Sequence, residues 1–225
     1  MERLQALSFP VVPLERISRG LRGSADLPAR GVAITFDDGY ANFHGEAFPV
    51  LREFGFPATV FLVPGLCGGR NNWPGNMPGI PTLDLLDWSQ ISELAREGVE
   101  FGAHSMTHAD LSRLPVGAAR EEVARSKLVI EKRLASPVRF FAWPFGRTNR
   151  ALLPFVEQQF DAACSTRMDF ISSRSQPHVL PRVDMFYFAG NERFSSFGTP
   201  AFSRYVSIRK RLRLVRELLV PASSS

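Results

Sequence analysis

Cysteine is nearly missing from this chain of 225 residues: Cys67 and Cys164 are the two it has. They lie far apart, so no disulfide framework is implied and neither redox compartment is excluded. Lysine is almost as scarce, since Lys127, Lys132 and Lys210 are the three lysines among 27 basic residues, and arginine carries the net charge of +5. Such a surplus suits a polyanionic partner but mostly reflects solubility, and no nucleic-acid motif accompanies it, so nucleic acid is not expected as a partner. No apolar run reaches the ~18 residues of a membrane-spanning helix. The opening stretch MERLQALSFPVVPLERISRG lacks an apolar core with a small-residue cleavage site, so it does not read as a secretory signal, and the cytoplasm is the expected location. No linker divides the chain, and a single domain over residues 1–225 is expected.

What is present is ordinary for a globular protein with a substantial core: 44% hydrophobic and 22% charged residues. Disorder is expected only in the tail, Pro221 to Ser225. Gly31 to Phe36 reads as a buried strand, Gly45 to Phe54 as a helix, and Pro57 to Val63 as a second strand. A Gly/Pro/Asn-rich segment from Pro64 to about Pro81 follows, long enough to form the wall of a cleft. Asp87 to Glu97 reads as a capped helix stopped by Gly98, Val99 to Ala103 as a strand, and Val116 to Leu134 as a long amphipathic helix. Val138 to Ala142, Asn149 to Phe160 and Asp161 to Ser165 continue as strand, helix and strand. This alternation predicts parallel βαβ units in a barrel or a doubly wound sheet. Both architectures gather chemistry at the C-terminal ends of the strands.

Polar residues follow those predicted strand ends. AITFDDGYANF sets Asp37 and Asp38 side by side, where mutual repulsion is costly unless a cation or proton lies between them. HSMTH places His104 and His108 four apart, within reach of one point. Further on come WPFG, Trp143 to Gly146, and PHVLPRVDM, which contains His178, Arg182 and Asp184. Alone, each has a plainer reading as a turn, a surface pair or a loop ion pair. Together, one carboxylate and two imidazoles make a facial ligand set with open positions, and the second carboxylate is free to take a proton from water.

The pieces TFDDGY, HSMTH, WPFG and LPRVD, in that order over roughly residues 30 to 190, resemble the polysaccharide deacetylase family, also known as carbohydrate esterase family 4 or the chitooligosaccharide deacetylase homology domain. The resemblance implies a distorted (β/α) barrel of about seven parallel strands and removal of an N-acetyl group from an N-acetylated sugar, in a glycan or a glycan precursor. It implies a divalent metal, Zn²⁺ before Co²⁺, Ni²⁺ or Mn²⁺, on Asp38, His104 and His108. Asp37 would be the base acting on the metal-bound water, and the backbone N–H of Tyr40 would stabilise the oxyanion. Tyr40, Trp143, Pro144, Phe145, Leu180 and Asp184 would line the substrate site, with Trp143 the best placed of Trp73, Trp88 and Trp143 to stack on a sugar.

Two departures from that family's pattern stand out. The arginine that usually tethers the base would occupy position 142, which is alanine here, and Arg182 is the substitute expected from another segment. No histidine follows His178, so the family's late Leu-x-His acid is absent and His178 is the candidate in its place. Two other readings keep the site: hydrolysis of a small non-sugar amide, and a carbohydrate-binding protein that has lost catalysis. The stretch from Arg204 to Leu219 reads as a basic amphipathic helix whose apolar face, Val206, Leu212, Val215 and Leu219, packs on the barrel, while its charge also suits peripheral contact with anionic lipid.

Overall fold

The computed structural model describes residues 1–76, 79–188 and 194–219, with side chains described as far as residue 212. The expected disorder of Pro221 to Ser225, and the side chains of Val215 and Leu219, lie outside what is described.

Six strands form one sheet: β1 (Ile34–Phe36), β2 (Ala58–Leu62), β3 (Glu100–Ala103), β4 (Phe140–Ala142), β5 (Ala162–Met168) and β6 (Leu180–Arg182). They lie side by side in chain order, each parallel to the next. The order never reverses, as it must in a doubly wound sheet, so this is barrel winding. Among the described residues there are six strands rather than about seven. The expected first strand is shorter, because Val32 forms only an isolated bridge to Val11. β6 is three residues long with Pro181 at its centre, too short and too proline-broken for periodicity to flag, and tolerated because it lies at the sheet's edge.

Side chains alternate across the strands. Val60 and Leu62, Phe101 and Ala103, Phe141 and Ala163 point to the outer face. There they pack against Leu51 of α3 (Phe48–Glu53), Ile91 and Leu94 of α4 (Trp88–Arg96), Val123 and Ile130 of α5 (Val116–Leu134) and Val156 of α6 (Leu153–Gln159). Phe61, Phe140, Ala142, Ala162, Cys164 and Leu180 point inward, where Leu14 and Ile17 of α2 (Leu14–Leu21), the helix after the short α1 (Glu2–Ala6), fill the barrel. Each fully buried side chain of this size contributes about 2 kcal/mol. The outermost strands are joined by a side chain: Arg182 of β6 donates to the Thr35 hydroxyl of β1 at 3.2 Å.

Local chemistry explains where the elements start and stop. Asp87 caps α4 through the N–H groups of Ser89 (2.8 Å) and Gln90 (2.9 Å), while the Gln90 amide accepts from the Asp87 N–H at 3.0 Å. Gly98, at φ 91°, ends it. The helix expected over Gly45 to Phe54 opens instead as a π-helical turn, Phe43–Ala47, because Pro49 in α3 has no N–H for the usual helical bond. A last helix, α7 (Pro200–Leu219), buries Phe202 and Val206 but leaves Leu212 58% exposed. Six positions at ~100° each put Val206 and Leu212 about 120° apart, so the single apolar face expected there is divided. No helix among the described residues is long and apolar enough to cross a membrane.

Candidate metal centre and active site

β1 delivers both aspartates. Asp37 follows the inward alternation of Thr35, and then Asp38 (φ 72°) and Gly39 (φ 73°) turn the chain through two successive left-handed residues. Aspartate tolerates that conformation better than most residues, and glycine is required next because a Cβ on Gly39 would meet Leu62 Cδ2 at 2.8 Å. The turn lets neighbouring carboxylates face different partners.

β3 delivers the histidines. His104 follows its last residue, held by a bond from its N–H to the Leu62 carbonyl at 2.9 Å. Its Nδ1 lies 2.7 Å from the Ala142 carbonyl, which can only accept, so Nδ1 carries a hydrogen and Nε2 is the nitrogen that can offer a lone pair to a cation or, when protonated, donate to Asp38. The chain then loops through Ser105 (φ 60°) to His108 (φ 58°). His104 Nε2 is 3.4 Å and His108 Nε2 3.3 Å from Asp38 Oδ1, and the three potential ligand atoms lie within 4.8 Å of one another. The trio matches what a divalent cation needs: one carboxylate, two imidazoles, and at least one lone pair fixed in direction from behind. His108 is wedged in place, stacked on Trp73 at 4.2 Å and met edge-on by Phe145 at 4.6 Å, and its buried Nδ1 has no partner.

Burial opposes every charge here, and local partners decide the outcome. Burial would raise the Asp38 carboxyl, but hydrogen bonds from both imidazoles hold it well below the carboxylate range. The same carboxylates overcome burial at His104 and raise it, whereas burial prevails at His108 and lowers it.

Asp37 has a different partner. Arg182 grips it in a fork, Nη1 to Oδ1 at 2.6 Å and Nη2 to Oδ2 at 2.7 Å, while its Nε donates to the Ser165 carbonyl at 2.9 Å. Burial pushes Asp37 up, and the guanidinium outweighs it, leaving the carboxyl below its usual range. Ala142 meanwhile lies in the inner core, so the cation comes from β6 in place of β4.

The Tyr40–Leu85 bridge is flanked by its two hydrogen bonds, Ala41 N–H to Asp84 O and Leu86 N–H to Gly39 O, so the Tyr40 N–H takes part in neither. The Tyr40 phenol accepts from Asn71 at 3.2 Å and is pushed up to about 12 by burial and then by the Asp38 charge. Nothing in the sequence marks Asn71. Its amide, buried, also donates to Pro81 O at 3.1 Å and accepts from Leu83 N–H at 2.6 Å, tying the Gly/Pro/Asn-rich loop into one wall. A polar residue within a polar loop carries no signal that would have found it.

Several expected site residues are elsewhere. His178 precedes β6, and its Nε2 bonds the Phe160 carbonyl at 2.8 Å, just ahead of β5. That is the end of the strands opposite to the aspartates and histidines, so His178 is not placed to act as the acid. Trp143 is fully buried against Phe141, with its N–H donated to His178 O at 2.9 Å, and offers no face to a sugar. Leu180 and Pro144 are buried as well, Leu180 in the inner core. Asp184 is exposed and accepts from the Phe186 N–H at 2.9 Å. Phe145 does stand at the site, against His108. Trp73 is spent on the same imidazole, and Trp88 packs on the outer core.

The family model described as Polysaccharide deacetylase matches residues 24–159. YxkH of Bacillus subtilis (strain 168) is 28% identical over 153 residues, covering 68% of this chain and 50% of its own. The poly-beta-1,6-N-acetyl-D-glucosamine N-deacetylase of Escherichia coli (strain K12) is 25% identical over 214 residues, covering 80% of this chain and 31% of its own. The chain thus spans half or less of the length of these two relatives. Among solved structures, Streptococcus pyogenes deacetylase PplD in complex with acetate superposes with a TM-score of 0.70 at 24% identity, covering 81% of this chain and 76% of that one, which shows a shared fold. From the family model's extent, the chain belongs to the polysaccharide deacetylase family.

Proposed function

We propose that the chain is a divalent-metal-dependent deacetylase that removes N-acetyl groups from an N-acetylated sugar of a polysaccharide or its precursor. One observation carries the reading: a carboxylate clamped by an arginine, Asp37, adjoins a carboxylate shared by two imidazoles, Asp38. When bound by Asp38, His104 and His108, the cation, Zn²⁺ before the others, supplies the Lewis acidity that polarises an amide carbonyl and acidifies a water.

The chain's own groups do the rest. Asp37 accepts the proton of the attacking water at a carboxylate oxygen, and Arg182 keeps that carboxylate ionised and aimed. The Tyr40 N–H donates to the oxygen that gains charge as the carbonyl carbon becomes tetrahedral. With His178 at the far end, Asp37 is also the group that returns the proton to the sugar nitrogen as the C–N bond breaks, releasing acetate and a free amine. Trp73 and Phe145 hold His108 and keep bulk water from its ring.

The relative that acts on poly-β-1,6-N-acetyl-D-glucosamine makes oligomers of that sugar the first substrates to try, beside chitooligosaccharides, an N-acetyl-sugar precursor and a small acetamide. Acetate release that is abolished by chelator and restored by Zn²⁺ or Co²⁺ is the expected result. Release from the small acetamide alone would favour the non-sugar reading. No release from any acetylated sugar, with metal demonstrably bound, would overturn the proposal.

A further inference from the structure

Exposed apolar surface is unevenly spread over the molecule. Five of the ten large apolar side chains left exposed among the described residues lie beyond β5: Phe170, Met185, Phe186, Ile208 and Leu212. Phe186 is 79% exposed, more than any other of the ten, at the tip of the 3₁₀ turn Met185–Phe188 that follows β6.

Contacts between that turn and α7 show that four of the five share one side. Phe202 and Val206 face the barrel. Tyr205 meets Phe188 edge-on at 5.3 Å and Arg209 covers the Tyr187 ring at 3.9 Å, so the turn lies along one flank of the helix. At ~100° per residue, Ile208 and Leu212 fall on that same flank, one step further toward solvent. Phe186 stands edge-on to Tyr187 at 5.6 Å and continues the ridge with its neighbour Met185. Phe170 belongs to the other flank, where Lys210 pairs with Asp169 at 2.6 Å.

Charge accompanies the ridge. From Pro200 to Leu219 the sequence carries Arg204, Arg209, Lys210, Arg211, Arg213 and Arg216 against the one acidic residue Glu217. Arg204 and Arg211 are exposed on the outer side of Ile208. A second copy docking through this face would set like charges against each other, which costs affinity. A negatively charged plane satisfies both features: apolar side chains enter it shallowly, and long arginines reach its anions while their stems stay in apolar surroundings.

We propose that the ridge formed by Phe186, Ile208 and Leu212, with Arg204 and Arg211 beside it, is a docking surface for an anionic lipid bilayer. The turn that bears Phe186 leaves β6 at the same end of the strands as Arg182, so a docked chain carries its cleft at the lipid interface. The proposal is independent of the catalytic reading, because none of these side chains touches Asp37, Asp38, His104 or His108.

Co-sedimentation of the full chain with phosphatidylcholine vesicles, with and without phosphatidylglycerol, tests it. Binding is expected only to the vesicles containing phosphatidylglycerol. Both Phe186→Ser/Ile208→Ser/Leu212→Ser and Arg204→Glu/Arg211→Glu should weaken that binding about tenfold or more while thermal melting stays unchanged, since all five side chains are exposed. No binding to anionic vesicles at low salt would overturn the proposal. So would equal binding by the triple-serine variant, or concentration-dependent self-association of the parent chain that this variant abolishes.

Discussion

At the N-terminal end of the strands, ionic groups find partners and the backbone is less strained, with Arg30 and Ala135 the non-glycine residues at positive φ in the segments leading into β1 and β4. Arg139 reaches Glu15 at 2.7 Å and Glu100 at 3.9 Å, Thr59 donates to Glu100 at 2.9 Å, Arg22 pairs with Asp161 at 2.9 Å, and His178 is bonded to Phe160 O. At the C-terminal end the ionic groups are paired too, but more of the backbone is strained and some buried donors are left over. Among the described residues, four of the seven non-glycine residues at positive φ, Asp38, Ser105, His108 and Phe145, lie in the loops there, and His108 Nδ1 and Trp73 Nε1 are buried without partners. Such strain costs of order 1 kcal/mol per residue and persists only where the surroundings overdetermine it. The difference teaches a division: one end of the barrel holds the fold together, and the other holds groups in arrangements that are useful to a ligand and costly without one.

Substitutions should separate the two ends, most sharply at the aspartates. Asp37→Asn is expected to retain metal in a competition titration and to lose roughly 10³-fold in kcat, the range of a missing general base. Asp38→Asn should lose metal affinity and turnover together. If both variants lose metal alike, the two carboxylates do not have separate jobs.

Arg182→Met strikes a C-terminal group that also serves the fold. It removes the Thr35 link between the outermost strands and leaves Asp37 half-buried and unpaired, a loss of about 3 kcal/mol in denaturant melts near pH 7. Because the Asp37 carboxyl is held below its ordinary value in the folded state, its stabilising contribution is complete above the usual carboxylate pKa of ~4 and fades as pH falls through the folded value. The gap between parent and variant should therefore narrow in acid. Without the guanidinium, burial prevails at Asp37, and the acid limb of the kcat/KM profile should move to higher pH.

His178→Asn is the matching test at the less strained end. Losing one hydrogen bond should cost about 1 kcal/mol of stability. A kcat within about twofold of the parent is expected, since His178 acts on the fold and no group there shapes the barrier by the ~1.4 kcal/mol that a tenfold change requires. A collapse of kcat with metal retained would return His178 to the chemistry.

The smallest effect is expected at Glu100, whose carboxyl burial pushes up despite Thr59 and Arg139. A raised acid stabilises the fold only while protonated, so at neutral pH its ionised form is a liability. Glu100→Gln should then match the parent within about 0.5 kcal/mol at pH 7 or exceed it, and activity should not change.

How much of this was legible in the sequence depended on the range of the forces involved. α5 is found over the residues its periodicity predicted, Val116–Leu134, and α4 begins at the Asp87 cap and ends at Gly98, because helical spacing and capping act within a few residues. β6 and the π-helical turn escaped, since three residues around a proline have no period and a missing N–H is felt only once the helix forms. The candidate site was legible for a related reason: Asp37 and Asp38 are adjacent, His104 and His108 are one loop apart, and each pair follows a strand whose apolar run marks it.

By itself, then, the sequence determined the chemistry-bearing residues and the alternation of strand and helix, both written in short-range patterns. Only the tertiary structure decided which of them meet. Arg182 lies 145 positions from Asp37, and its guanidinium reaches that carboxylate because the winding of the sheet brings the last strand round toward the first. Trp143 and His178 look like site residues in a linear reading. The pleat turns one into the core and the direction of β6 puts the other at the far end, because facing and polarity belong to the closed sheet and to no segment of it alone.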